Sequence, residues 1–177
     1  MKMHSILSTV LAIILALSVA EANNLDGKTQ QMVNGICKMT TDIKFCSSVL
    51  VKNLATPAPS NKDLMNVTVR EAERFSANTN FFISTLLDNA GDERQDLQMC
   101  ADAYSIVNLA FTNAISFFNQ AHYSKIFKVQ NKVSKAIGIC KTDFNVPGYE
   151  INPLIERNRQ TMILSSMEQI VCQMVSS

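Results

Sequence analysis

Residues 60–91 read SNKDLMNVTVREAERFSANTNFFISTLLDNAG, and the spacing of apolar side chains within them decides the fold class. Leu64, Val67, Ala72, Phe75, Thr79, Phe82, Ile83 and Leu86 recur at helical intervals, mostly three and four residues. A half-buried strand would instead alternate apolar and polar residues. Ser60, directly after Pro57 and Pro59, is placed to start the helix, and Asp88-Asn89-Ala90-Gly91-Asp92 to stop it.

Toward the C-terminus the pattern repeats. A helix is predicted from about Arg94 to Asn119 through Leu97, Cys100, Tyr104, Val107, Phe111, Ala114 and Phe118. Another carries Ile126, Val129, Val133, Ala136, Ile137 and Cys140, ending before Asn145-Val146-Pro147-Gly148. The last begins near Asn152-Pro153, where Asn caps and Pro takes the first helical position, and runs through Ile155, Met162, Ile163, Met167, Ile170 and Met174. Four long helices with short connections and one apolar face each describe an all-α, up-and-down four-helix bundle.

Toward the N-terminus, Thr56-Pro57-Ala58-Pro59-Ser60 reads as a linker. Before it, Leu25, Met32, Val33 and Ile36 form one stripe, and Ile43, Cys46, Leu50 and Leu54 another, predicting a short helical hairpin appended to the bundle. On one unbroken helix Cys37 and Cys46 would be separated by roughly 13.5 Å of rise, beyond the reach of a disulfide. A bridge between them therefore requires a break, and Thr40-Thr41-Asp42 supplies one, with Asp42 positioned as a cap.

The chain opens with Lys2, an apolar run from Ile6 to Val19, and Ala20-Glu21-Ala22. This basic, apolar, small-x-small order reads as a secretory leader over residues 1–22, and the run falls short of the roughly 20 apolar residues that span a bilayer. The expected product is one exported domain, hairpin 23–55 and bundle 56–177, with no membrane contact once the leader is cleaved. The formal charge of +1 is spread along the chain, so a nucleic-acid partner is not expected. In an oxidising compartment five cysteines form two bridges with one thiol left over, and composition does not choose the pairing.

Catalysis finds little support. Outside the leader His122 is the only histidine, and in Gln120-Ala121-His122 it reads as a solvated residue at a helix start. Zinc is disfavoured by the cysteine spacing, and no Gly-rich phosphate loop is present. The carboxylate pairs Glu71 with Glu73 and Asp92 with Glu93 could serve glycoside hydrolysis only within a cleft; the first pair alternates with Arg70 and Arg74 as a solvated helix face does. Asn66-Val67-Thr68 is a glycosylation sequon. Nine methionines would suit a small secreted carrier of apolar ligands, the alternative class.

Ile36-Cys37-Lys38-Met39-Thr40-Thr41-Asp42-Ile43-Lys44-Phe45-Cys46 with Val49-Leu50, then Met99-Cys100-Ala101-Asp102-Ala103-Tyr104, then Val133-Ser134-Lys135-Ala136 and Cys140-Lys141-Thr142-Asp143-Phe144, then Asn152-Pro153-Leu154, occur in an order that resembles the plant invertase and pectin methylesterase inhibitor family. The resemblance implies disulfides Cys37–Cys46 and Cys100–Cys140, with Cys172 left free. On the chain-entropy model the two loops would contribute roughly 2.7 and 3.9 kcal/mol. It implies no catalysis, cofactor or metal, but one-to-one docking of a monomer over the active-site cleft of pectin methylesterase or invertase, in the cell wall or the vacuole. A member that binds without inhibiting is the second expectation.

Invertase inhibitors of the family carry a Pro-Lys-Phe contact. The corresponding stretch here is His122-Tyr123-Ser124-Lys125-Ile126-Phe127-Lys128, which lacks the proline and points to Lys125, Phe127 and Lys128 as target-binding residues. The tryptophan common in pectin methylesterase inhibitors is absent. Cys172 falls on or beside the Met162, Met167, Ile170, Met174 stripe, so burial of its thiol is expected.

Overall fold

In the computed structural model, which describes residues 25–176, the first three helices start where short polar side chains take the first unpaired backbone N–H groups. The expected leader lies outside the described residues. Asp26 Oδ1 accepts from the Thr29 amide at 2.6 Å and opens α1, Gly27–Lys38. Asp42 Oδ1 accepts from the Phe45 amide at 2.9 Å and opens α2, Ile43–Asn53. Ser60 and Asp63 cap each other's backbone reciprocally at the start of α3, Asn61–Asp88. Three further helices follow: α4, Arg94–Asn119; α5, Tyr123–Ile139; and α6, Leu154–Ser176.

The last four helices form a closed ring in which α3 packs on α4, α4 on α5, α5 on α6 and α6 on α3, while neither diagonal pair of backbones approaches. This is the four-helix bundle the sequence predicts. The α1–α2 hairpin leans on the edge made by α3 and α6. Its turn is closed by the Cys37–Cys46 disulfide, with Cα atoms 5.5 Å apart, and it is tied to the bundle by Arg159, whose guanidinium meets Asp42 at 2.8 Å. The Phe45 ring meets Phe75 of α3 edge-on, centroids 6.4 Å apart.

The core follows the predicted stripes on α4 and α5 closely. Leu97, Tyr104, Val107, Phe111 and Ala114 are fully buried, as are Ile126, Val129, Val133 and Ala136 to within a few per cent. Met65 and Met167 are buried among them as ordinary core side chains. Burying each large aliphatic side chain stabilises the fold by about 1.5–3 kcal/mol.

Three details depart from the sequence reading. Ile43 lies 54 % exposed in the first turn of α2, although its spacing puts it on the same side of the helix as the buried Cys46 and Leu50. Phe75, Phe82 and Leu86 of α3 are half-buried; Phe75 meets the hairpin, and Phe82 lies against Arg157 and Tyr149. On α6 the stripe is rotated: Ile155 is exposed and Met162, Ile170 and Met174 are only half-buried, whereas Leu154, Thr161, Leu164, Ser165, Glu168, Val171 and Cys172 point inward. For Thr161 the reason is polar pairing across the core. Tyr104 of α4 reaches across the bundle, its hydroxyl 3.0 Å from both Asn158 Oδ1 and Thr161 Oγ1, which turns polar residues toward the axis.

Candidate functional site

Helix α5 carries Lys125, Lys128, Lys132 and Lys135 and no carboxylate, and α4 beyond Asp102 carries no charge at all. Because α4 and α5 are antiparallel neighbours, residues equidistant from Ala121 meet: Phe117 with Lys125, Asn113 with Val129, and Ala110 with Lys132. These side chains, with Lys128, line a hollow of about 190 Å³. The Lys125 ammonium lies 5.5 Å from the Phe117 ring centroid, a cation–π contact that holds it over the apolar floor. Lys125, Lys128 and Lys132 are exposed, and none of them is in an ion pair among the described residues.

Both ends of α5 are anchored. At its start, the turn is formed by His122 N–H donating to Phe117 O at 2.8 Å and Ala121 N–H to Phe118 O at 3.0 Å, with Ala121 in the left-handed region at φ 56. The Cys172 thiol of α6 then donates to the Tyr123 carbonyl at 3.2 Å. At its end, Cys140 is bonded to Cys100 of α4, Cα atoms 4.2 Å apart, and Asn158 donates to the Cys140 carbonyl at 2.9 Å. The connection that follows is pinned by Asn152, which donates to Phe144 O at 3.0 Å and accepts from the Leu154 amide at 2.9 Å. The lysine row therefore stands on a helix with little freedom to shift.

Of the three contact residues expected from the sequence, the structure places Lys125 and Lys128 on the hollow and Phe127 outside it, half-buried and packed against the core. The aromatic surface beside the lysines comes from Phe117 on the neighbouring helix. His122 is exposed at the α4–α5 turn. Asn66 lies half-buried in α3, its side-chain oxygen accepting from Arg70 Nε at 2.8 Å. Glu71 pairs with Arg74. No group of three or more potential ligands that could hold a metal occurs among the described residues, and none of their helices is long and apolar enough to cross a membrane.

Two further regions carry distinctive chemistry. Asp92, Glu93 and Asp96 at the start of α4 border an open hollow of about 580 Å³ walled by Phe144, Val146, Pro147 and Tyr149. Within the bundle, Glu168 is 2 % exposed with Oε1 unpartnered, and Ser165 Oγ one turn before it is unpartnered too. Burial without a cation pushes the Glu168 carboxyl well above the usual carboxylate range. Burial likewise raises the Cys172 thiol, which keeps it protonated and inert.

Residues 31–176 match the sequence profile of a family described as plant invertase/pectin methylesterase inhibitor. Among solved structures, the fold is shared with a pectin methylesterase inhibitor from Arabidopsis thaliana at a TM-score of 0.60 and 14 % identity, over 85 % of this chain and 97 % of that one. No curated protein matches the chain in sequence.

Proposed function

Because the chain belongs to the plant invertase/pectin methylesterase inhibitor family, we propose that it is an exported inhibitor, not an enzyme, that blocks pectin methylesterase or invertase by docking one-to-one over the target's active-site cleft. The observation behind this reading is the uncompensated lysine row on α5 beside the Phe117 floor. A cleft that works with carboxylates presents negative potential, and a fixed row of ammonium groups beside an apolar anchor is complementary to it. Lys125 and Lys128 make the charged contacts, Phe117 offers the apolar one, and Phe127 supports the row from beneath.

Rigidity strengthens the case. A helix anchored at both ends, by the Tyr123–Cys172 hydrogen bond and the Cys100–Cys140 disulfide, loses little conformational entropy when a partner covers it. The protein acts as a monomer in the cell wall or the vacuole. The test adds purified protein to separate pectin methylesterase and invertase preparations at apoplastic pH and reads both residual activities. Loss of one activity at a one-to-one ratio names the target; full activity in both at saturating protein would sink the proposal.

A further inference from the structure

We propose that the α4–α5 hollow is also a seat for a carboxylated sugar ring, so that an acidic polysaccharide competes with the target enzyme for the same lysines. The binding claim stands on the hollow itself; the competition rests on the docking role proposed above.

The hollow has two kinds of wall. Its rim is three ammonium groups, Lys125, Lys128 and Lys132, none paired with a carboxylate among the described residues, and its floor is the Phe117 ring with Val129. Asn113 adds an amide at the edge. A bare inorganic anion would satisfy the rim and leave the aromatic floor wet. A nucleic-acid backbone needs a longer basic track than one helical row. A pyranose uronate satisfies both walls: the C–H face of its ring lies on the phenyl ring, its carboxylate meets an ammonium, and its hydroxyls meet the amide.

Size and spacing agree. A cavity of about 190 Å³ admits a single ring. Successive lysines rise by about 4.5 Å and 6 Å along the helix, close to the length of one sugar, so neighbouring rings of a chain can place their carboxylates on neighbouring lysines. Lys135, exposed one turn further on, extends the row in the same direction.

The experiment is calorimetric titration of the purified, non-reduced protein, with no enzyme present, using α-1,4-linked trigalacturonate, its methyl ester, and citrate as a ring-free tricarboxylate. The expected result is saturable one-to-one binding of trigalacturonate, weakened at least about tenfold by methyl esterification and by the variant Lys128→Ala with Lys132→Ala, and weakened by salt. Absence of saturable binding, equal binding of citrate, or unchanged binding by the lysine variant would each overturn the proposal. Should the double variant fail to fold, Lys132→Gln alone gives the same comparison. Failure here is distinct from failure of the inhibitor reading: a protein that inhibits an enzyme but binds no uronate loses only this seat, and one that binds uronate but inhibits neither enzyme loses only the docking role.

Discussion

The Cys172 thiol, near the end of α6, donates a hydrogen bond to the backbone carbonyl of Tyr123 at 3.2 Å, so the odd cysteine anchors the helix that carries the lysine row. It is fully buried, and burial raises its pKa, so both access and thiolate fraction are low. Native, non-reduced protein is therefore expected to react with a thiol reagent only after denaturant is added. Rapid labelling of the native monomer, or a dimer that collapses on reduction, would contradict this.

A second expectation concerns pH. Glu168 is buried with no partner for Oε1, and Cys172, buried one turn on in the same helix, is a neutral thiol. The folded pKa of Glu168 is raised, so above the ordinary carboxylate range the folded state holds a proton that the unfolded chain has released. Stability from this group is complete at acid pH and is lost as pH rises toward the folded value, by up to about 1.4 kcal/mol per unit. Asp42 and Asp26 act with the opposite sign. Amide hydrogen bonds from Phe45 and Thr29 respectively hold them low, so their contribution is lost as pH falls through the acid range. Urea midpoints of the protein and of Glu168→Gln, measured from weakly acidic to neutral pH, check the claim: the variant should lose the neutral-side decline. Parallel curves would show that Glu168 does not titrate with folding.

The turn between α4 and α5 makes a third case. Ala121 occupies the left-handed region, φ 56, where a Cβ costs roughly 1–2 kcal/mol. Ala121→Gly removes that clash but adds freedom to the unfolded chain. The expected net effect is stabilisation by about 0.5–1 kcal/mol, read as a higher denaturant midpoint. A lower midpoint would mean that the alanine methyl contributes packing.

How far these features could be read in the sequence depends on whether they are local. The start of α3 is legible because Ser60, a capping residue, follows Pro57 and Pro59, its end because Asp88-Asn89-Ala90-Gly91 breaks the pattern, and the Asp42 cap because it follows two poor helix formers. The inward face of α6 is not, because Thr161, Ser165 and Glu168 lie on it, and an apolar pattern cannot register buried polar residues, whether they find a partner across the bundle, as Thr161 does in Tyr104, or are left with an unpartnered atom, as Ser165 and Glu168 are. The lysines are visible in the sequence, but the aromatic residue beside them there is Phe127, one or two positions away. Phe117 belongs to the preceding helix and meets Lys125 only through the α4–α5 hairpin. The signal that would have found it is reflection about the turn, since Phe117 and Lys125 lie equally far from Ala121.

That reflection fixes the most direct test of the docking face, the variant Lys125→Ala with Lys128→Ala. Both side chains are exposed and flank the buried face of Ile126, Val129 and Val133 on the same helix, so truncation removes charge from the surface and leaves the core contacts of α5 in place. Alanine is also the better helix former, and far-ultraviolet circular dichroism should be unchanged. Against whichever enzyme the protein inhibits, the variant is expected to bind at least about tenfold more weakly, with much of the loss in association rate and with a flatter dependence on salt. A charged row that steers encounter must show that salt signature, whereas a row that only keeps the helix soluble would not. Unchanged inhibition by the folded variant, at low and high salt alike, would move the interface off α5.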